Sequence, residues 1–404
     1  MSERLNERRN PTRTLAGATI LQVVPALREE PNARTAINVA LALLQAGARA
    51  LVAAADGPLV AELRSYGAEW FQLPIDTANP FTRRRNARAL ETIIAGERVD
   101  IVHAQGVAGA WSARRAAAKI AVWFVTTLPD VPPRSRGEFA QTVGALARGD
   151  RIIAPSAYSA APVILRYGIP REQITVIPRG IDTETFDIAA VTQERVDGLR
   201  QAWRVAPGER IVLVPGRVAP WNGQIILPDV ARALVDDGFR GGYVFVIIGE
   251  NRTHRRYARS ILKRAQMQGV DRLFRITGHC PDMPSAFATA DTVAVPAIEP
   301  PVLGRVVAQA QSMSRPVVTT DVGILPEQVV VPPQMPEDVR TGWVAKAGDP
   351  IDFARALALG LALDDREYQA MCARARQFAE YMFSPDSVAV ATRAVYTSLL
   401  ARDR

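Results

Sequence analysis

Short runs of β-branched and other apolar residues alternate along this chain with longer, alanine-rich segments of mixed polar and apolar residues. Alternation of this kind predicts parallel sheets covered by helices on both faces. In the first half the pattern predicts strands over 20–24, 50–54, 70–73, 101–103, 122–126, 151–154 and 175–177. The helices predicted between them are 33–45, 81–95, 108–119, 137–147 and 157–167.

A turn-rich segment, 178–186, separates this set from a second alternating set, and we place a hinge there. The chain therefore predicts two Rossmann-like domains, 1–190 and 191–384, with 385–404 packing back on the first. The second set of predicted strands is 211–214, 243–248, 274–277, 292–295 and 316–320. The predicted helices are 191–203, 222–235, 254–268, 281–288 and 303–313, and then 350–361, 365–381 and 385–401.

Length and charge limit the function classes. The 404 residues are enough for two cores, and a composition of 48% apolar and 22% charged residues is that of a soluble protein. The net charge of +8 has two interpretations: solvated arginines, or attraction to anionic lipids or phosphorylated substrates. Because this charge is spread over both halves, without a basic tail, we predict no nucleic-acid partner.

The cysteines and the N-terminal residues favour particular cellular locations for the protein. Cys280 and Cys372 lie far apart and lack metal-ligand spacing, which favours a reducing compartment. Residues 1–13 are charged and contain no apolar signal-peptide core, and no segment is long enough to span a bilayer. We expect a cytoplasmic protein, with peripheral contact at the inner face of a membrane left open.

A basic cluster beside Phe81 is the candidate for that membrane contact. Its side chains are either a solvated helix face or a docking site for phospholipid head groups, and the sequence does not separate the two. The cluster consists of Arg83, Arg84, Arg85 and Arg88.

Glycines end three successive strands of the second set and mark a candidate ligand crevice: Gly216, Gly249 and Gly278. A glycine at the carboxyl end of a parallel strand lets backbone approach a ligand, and Arg217 there can hold phosphate oxygens. Gly304 begins a predicted helix, whose end is either a diphosphate site or an ordinary helix start. The alternative interpretation is that these glycines only form turns and that the side chain of Arg217 is only solvated.

Other signals are weaker. His103 ends the strand 101–103, where it is either a structural histidine or a functional group facing the presumed cleft. The chain has no dinucleotide-binding glycine fingerprint, no Walker A sequence, no nucleophile elbow and no zincin motif. Hydride transfer from a dinucleotide and phosphoryl transfer at a P-loop are therefore disfavoured.

Taken in order, the motifs resemble the group 1 glycosyl transferases, a retaining family with the GT-B fold, over almost the whole chain. The resemblance implies an α/β protein with two Rossmann-like, doubly wound parallel-sheet domains that face each other across a cleft. It implies a nucleotide sugar in the C-terminal domain and an acceptor in the N-terminal domain. The matching pieces include 100–106, 153–156, 176–182, 216–217, 221–223, 316–318 and 341–343.

The strand-end residues and the resemblance together give the candidate site. His103 and Arg217 are the candidate catalytic residues. The resemblance implies no metal or other cofactor, because in this family an arginine and a lysine neutralise the departing diphosphate, and Arg217 matches the arginine. The candidate donor-binding residues are Gly216, Arg217, Asn222, Glu250, Gly278, Gly304 and Gln309.

Several positions depart from the family pattern. Asn222 stands at the position of the lysine, and Pro301 and Gln309 stand at those of two glutamates that contact donor sugar and ribose. Proline has no side-chain polar atom and no N–H, whereas glutamine can still hydrogen-bond hydroxyls without charge assistance. The other departures are Pro31-Asn32 for a Gly-Gly turn, Pro129 for a histidine near the reacting sugar, and Ile324 for a glycine.

Two functions from different classes follow. The first is a retaining transferase that moves a sugar from a nucleotide-sugar donor to an envelope lipid or polysaccharide acceptor, with altered donor handling. The second is a non-catalytic GT-B protein that serves as scaffold, regulator or partner subunit of an active transferase and keeps weak nucleotide binding. A two-domain solute-binding protein is a third interpretation, and the charged N-terminus argues against it.

Overall fold

A computed structural model describes residues 14–131, 143–239, 242–250, 252–300 and 304–402. The described residues fall into two compact units, one from Met1–Arg179 with Pro385–Arg404 and the other from Gly180–Ser384. The division precedes the predicted boundary at 190, because Ile181 packs with Ala308, Ala379 and Phe383 of the second unit. The C-terminal helix belongs to the first unit.

The first unit is built on a seven-stranded parallel sheet in the order β3-β2-β1-β4-β5-β6-β7. The order reverses between β1 and β4, the point at which open parallel sheets bind ligands. The strands are β1 Thr19–Ala26, β2 Arg49–Ala55, β3 Glu69–Gln72, β4 Ile101–Gln105, β5 Trp123–Thr127, β6 Arg151–Ala154 and β7 Ile174–Val176. The helices are Pro31–Gln45, Val60–Ser65, Pro80–Gly96, Val107–Ile120, Ala157–Tyr167 and Pro385–Leu400.

Helices cover both faces of this sheet, as the continuous apolar strands predict. On one face, Pro31–Gln45 and the C-terminal helix Pro385–Leu400 enclose a core that includes Ile20 and Tyr396. On the other face, Pro80–Gly96 and Val107–Ile120 enclose a second core. The C-terminal helix is thus an integral part of the first unit.

The second unit has a six-stranded parallel sheet in the order β10-β9-β8-β11-β12-β13. Its order reverses between β8 and β11. The strands are β8 Arg210–Pro215, β9 Tyr243–Ile248, β10 Phe274–Gly278, β11 Thr292–Val295, β12 Val317–Thr320 and β13 Gly342–Ala345. The helices are Gln193–Ala202, Leu227–Asp236, Arg255–Met267, Met283–Thr289, Val306–Ser312, Pro350–Leu361 and Asp365–Phe383.

Two parallel-sheet Rossmann-like units confirm the predicted α/β class. The helix Val60–Ser65 and the strand β13 were not predicted, and the helix predicted over 303–313 begins at Val306, after Gly304. Other differences lie at helix starts. The helix predicted over 222–235 begins at Leu227, after two short 3₁₀ turns, Pro220–Asn222 and Gln224–Ile226. The helix predicted over 137–147 lies largely outside the described residues, and its last part is the 3₁₀ turn Leu146–Arg148.

Candidate functional site

The carboxyl ends of β8, β9 and β10 bring the three strand-ending glycines together. The Gly216 N–H donates to the Ile248 carbonyl at 3.0 Å, and the Gly249 N–H donates to the Gly278 carbonyl at 2.7 Å. A Cβ atom on Gly249 would lie 2.0 Å from the Gly216 carbonyl oxygen, and its φ is 149°. Only glycine allows the ends of β8 and β9 to approach so closely.

Arg217 follows Gly216 directly and carries an exposed positive charge at this edge. Its side chain is 60% exposed, and its Nε atom lies 3.9 Å from a carboxylate oxygen of Glu250. The Glu250 carboxylate accepts the Thr253 N–H at 2.9 Å, which contributes most to lowering the pKa of Glu250. The long ion pair leaves most of the guanidinium available to an anion, and a guanidinium can hold two phosphate oxygens at once.

Asn222 is bound to its own loop. Its Nδ2 donates to the Arg217 carbonyl at 2.7 Å, and the buried Gln224 donates from Nε2 to the same oxygen at 3.0 Å. Both amides therefore hold the backbone that presents Arg217. The sequence pattern does not predict the role of Gln224, and its position two residues after Asn222 is the only local signal.

The two loops that leave the reversal point of the second sheet are joined by backbone hydrogen bonds. The N–H groups of Ile298 and Glu299, after β11, both donate to the Trp221 carbonyl, after β8, at 3.0 and 3.1 Å. A cleft of about 550 Å³ opens at the ends of β9 and β10. It is lined by Glu250, Arg252, Ile276, Thr277, Gly278 and His279.

Gly304 packs beside Ile324, which stands where the family pattern has a glycine. A Cβ atom on Gly304 would lie 2.5 Å from Cγ2 of Ile324, which is buried. The side chain of Ile324 therefore fills the space beside the start of the short helix Val306–Ser312. Gln309 lies half-buried on that helix, and Pro301 lies outside the described residues.

His103 belongs to the first unit and is buried. Its Nδ1 lies 2.7 Å from the Tyr396 hydroxyl, and its Nε2 lies 2.8 Å from the Thr127 hydroxyl. Burial lowers the pKa of His103 to about 3, so the ring is neutral at pH 7. A neutral imidazole supplies one donor and one acceptor, which matches one hydroxyl partner on each nitrogen. This environment favours the structural alternative, a link from β4 to β5 and the C-terminal helix.

Arg179 forms a polar cluster with residues of two loops that contain departures from the family pattern. Its Nε donates to both Asp130 carboxylate oxygens at 2.7 and 2.9 Å, and its Nη1 donates to the Asn32 amide oxygen at 2.6 Å. The Arg179 and Asp130 side chains are each only 14% exposed. Asn32 follows Pro31 and Asp130 follows Pro129, so both unusual loops are tied to the same guanidinium. No local sequence signal predicts this long-range pairing.

The predicted basic cluster of the first unit is only partly available. Arg83 is half-buried, and its Nε donates to the Thr77 carbonyl at 3.1 Å. Arg84, Arg85 and Arg88 are exposed, and Phe81 is 75% exposed. Within the described ranges, no helix combines the length and apolar character that a bilayer crossing requires.

Two parallel-sheet Rossmann-like units agree with the GT-B fold that the resemblance implies, and the comparisons with known proteins assign the class. The family model for Glycosyltransferase Family 4 matches residues 33–185, and the model for Glycosyl transferases group 1 matches residues 209–362. The two matches together cover well over half of the chain. The chain belongs to the group 1 glycosyl transferases, as the resemblance predicts.

Curated relatives are similar over part of the chain. It is 30% identical over 230 residues to a D-inositol 3-phosphate glycosyltransferase of Nocardia farcinica, covering 55% of this chain and 47% of the relative. It is 28% identical over 274 residues to an enzyme of the same name from Salinispora tropica, covering 64% and 53%. The chain spans about half the length of these relatives.

Solved structures support the fold over nearly the whole length. A glycosyltransferase from Rickettsia africae superposes with a TM-score of 0.77 at 23% identity, covering 96% of this chain and 100% of that one. Anabaena HepE in complex with UDP superposes with a TM-score of 0.70 at 19% identity, covering 95% and 100%. At these identities the likeness shows the shared fold.

The packing of Ile324 over Gly304 gives a stability prediction. Gly304→Ala should lower the free energy of unfolding by about 1–3 kcal/mol, because the added methyl group overlaps Ile324. The double variant Gly304→Ala/Ile324→Ala should cost less than the sum of the two single changes. Gly198→Ala is the control, since a Cβ atom there meets no atom within 4 Å. Urea unfolding measures all four, and strict additivity would contradict the contact.

The burial of His103 gives a pH prediction. The unfolded chain binds the proton of this histidine near pH 6.5, whereas the native state binds it only near pH 3. Between these values the unfolded state holds more protons, so stability falls as pH falls, by up to about 1.4 kcal/mol per pH unit from this group. Urea unfolding at a series of pH values should give a shallower curve for His103→Gln than for the unchanged chain. Equal slopes would show that the ring is protonated in the native state.

Proposed function

We propose that this chain binds a nucleotide sugar at the carboxyl edge of its second sheet. It then transfers the sugar, with retention of configuration, to an envelope lipid or polysaccharide acceptor. The observation that carries the proposal is the exposed guanidinium of Arg217, beside Gly216 at the end of β8. Family membership supports it, as do HepE structures in complex with UDP and with UDP-glucose.

The chemistry needs a cation at this position. When the bond from the anomeric carbon to the diphosphate oxygen breaks, negative charge grows on the departing diphosphate. A preorganised guanidinium that meets this charge stabilises the transition state more than the ground state. Arg217 supplies that group, and the transfer we propose uses no metal.

The neutral residues make the proposed donor site weaker than a fully charged one. Asn222 adds no positive charge, and its Nδ2 is engaged with the Arg217 carbonyl at 2.7 Å. Gln309, half-buried on the helix Val306–Ser312, keeps hydrogen-bonding capacity for sugar or ribose hydroxyls. We therefore propose slow transfer, with binding led by Arg217 and the strand-end backbone.

A second candidate, a non-catalytic scaffold, regulator or partner subunit, is favoured by a different observation. The transferase hypothesis assigns functional roles to the positions of Asn222 and His103. The side chains of both residues make hydrogen bonds within their own units. Such a protein would keep donor binding without turnover. The two candidates therefore differ in turnover and agree on binding.

The binding claim predicts the effect of removing one charge. Arg217→Gln should weaken binding of UDP and UDP-glucose by about tenfold to a hundredfold, because one charge-assisted phosphate contact is lost. Isothermal titration measures the change. Arg366→Gln, an exposed arginine of the helix Asp365–Phe383, is the matched control and should leave the affinity unchanged. Equal affinities for the unchanged chain and Arg217→Gln would contradict the proposed site.

Turnover separates the two candidates once binding is established. The assay follows release of the nucleoside diphosphate with lipid and polysaccharide acceptors, and with D-inositol 3-phosphate because two relatives carry that name. Product that disappears in Arg217→Gln supports the transferase. Measurable donor binding with neither transfer nor donor hydrolysis, in contrast to hydrolysis by Asn222→Lys, supports the non-catalytic protein.

A further inference from the structure

One segment of the second unit concentrates positive charge without any negative charge. Residues 251–270 contain no aspartate or glutamate. Other stretches of this chain also lack acidic residues, among them 31–55 and 101–129, but each of these holds only two or three cations. The six cations of the segment are Arg252, Arg255, Arg256, Arg259, Lys263 and Arg264.

The helix Arg255–Met267 places most of this charge on its solvent side. Arg255, Arg259 and Lys263 follow one another at intervals of four residues, so they share one face of the helix. These three side chains and Arg256 are exposed, whereas Ile261 and Ala265 are buried against the sheet. We call the exposed set Arg255, Arg256, Arg259 and Lys263 the basic stripe.

The charges of the basic stripe are not neutralised within the part of the chain that the structure describes. Arg264, off the stripe, forms an ion pair with Asp229 at 2.7 Å between Nη2 and Oδ2. None of the four stripe residues has an ion pair with a described carboxylate. Like charges four residues apart repel one another, so this arrangement costs stability unless an external anion offsets it.

Apolar side chains accompany the basic stripe on the exposed surface. Met267 is 77% exposed and Leu262 is 38% exposed. The one aromatic residue of the helix, Tyr257, is turned inward, where its hydroxyl accepts the Ile225 N–H at 3.1 Å. The surface therefore offers cations and flexible apolar groups, and it lacks the aromatic platform on which single-stranded nucleic acids stack.

We infer that the basic stripe docks the second unit on a membrane surface rich in anionic phospholipid. Clusters of four or more exposed Lys and Arg side chains on a helix attract acidic head groups, and neighbouring apolar side chains can enter the interface. This surface is separate from the cluster Arg84, Arg85 and Arg88 of the first unit. The inference does not depend on donor binding or on turnover.

The test is co-sedimentation of the full chain with vesicles. Phosphatidylcholine vesicles with and without phosphatidylglycerol are the probes. The unchanged chain should bind the anionic vesicles, and added salt should weaken the binding. The variant Arg255→Gln/Arg259→Gln/Lys263→Gln should bind on the order of a hundredfold more weakly, since each basic residue near the surface adds to the attraction.

Two variants with the same change in charge are the controls. Arg84→Gln/Arg85→Gln/Arg88→Gln removes the first-unit cluster, and Arg148→Gln/Arg171→Gln/Arg366→Gln removes three exposed arginines spread along the chain. Circular dichroism verifies that each variant is folded. Because a variant can fail to fold, the salt dependence and lipid dependence of the unchanged chain provide an independent measurement.

The outcomes separate the possible roles. Loss of binding in the stripe variant, with binding kept in the scattered variant, supports the inference whether or not the first-unit cluster contributes. Three results would overturn the inference: an equal loss of vesicle binding in the scattered variant, a loss of binding only in the first-unit variant, or equal binding of the unchanged chain to neutral and anionic vesicles. Preferential binding of single-stranded RNA over anionic vesicles also overturns it, as does a stripe variant changed only in its rate of donor association.

Discussion

The exposed cation at the carboxyl end of β8 is the constraint on which the proposed chemistry depends. Arg217 can stand there because the backbones of Gly216 and Gly249 approach each other without side chains, and because two amides hold its carbonyl. The loop is therefore fixed by backbone contacts, while the guanidinium stays 60% exposed. A rigid loop that presents a largely exposed guanidinium can stabilise the negative charge that develops on the departing diphosphate in the transition state.

Three of the residues that depart from the family pattern, Ile324, Asn222 and Asn32, have structural contacts of their own. Ile324 fills the space beside Gly304, and Asn222 holds its loop. Asn32 and Asp130 share the guanidinium of Arg179, which lies largely buried. At these three positions, what the sequence presents as lost chemistry thus appears in the structure as packing and hydrogen bonding. Restoring one family residue would break a contact as well as add a function.

Twelve of the thirteen described strands could be predicted because buried parallel strands are apolar on both faces; the bounds of β9, Tyr243–Ile248, agree with the prediction. The exception is β13, Gly342–Ala345, a short strand that follows a proline-rich loop. The helix predicted to begin at 222 begins at Leu227 instead, because the residues before it form two short turns in the loop that carries Arg217. The partners of His103 and Arg179 could not be predicted. The most distant partners, Tyr396 and Asn32, lie 293 and 147 residues away in sequence, and nothing local in the chain indicates such pairs.

Hydrogen–deuterium exchange of the full chain, with and without saturating UDP-glucose, tests the central claim most directly. If the donor lies against Arg217, amide exchange should slow in the peptides that contain Gly216, Gly249 and Gly278, whose backbones form that edge. Peptides of the helix Pro350–Leu361 should exchange at the same rate in both samples. Unchanged exchange at the three glycines, or protection confined to the first unit, would contradict the account.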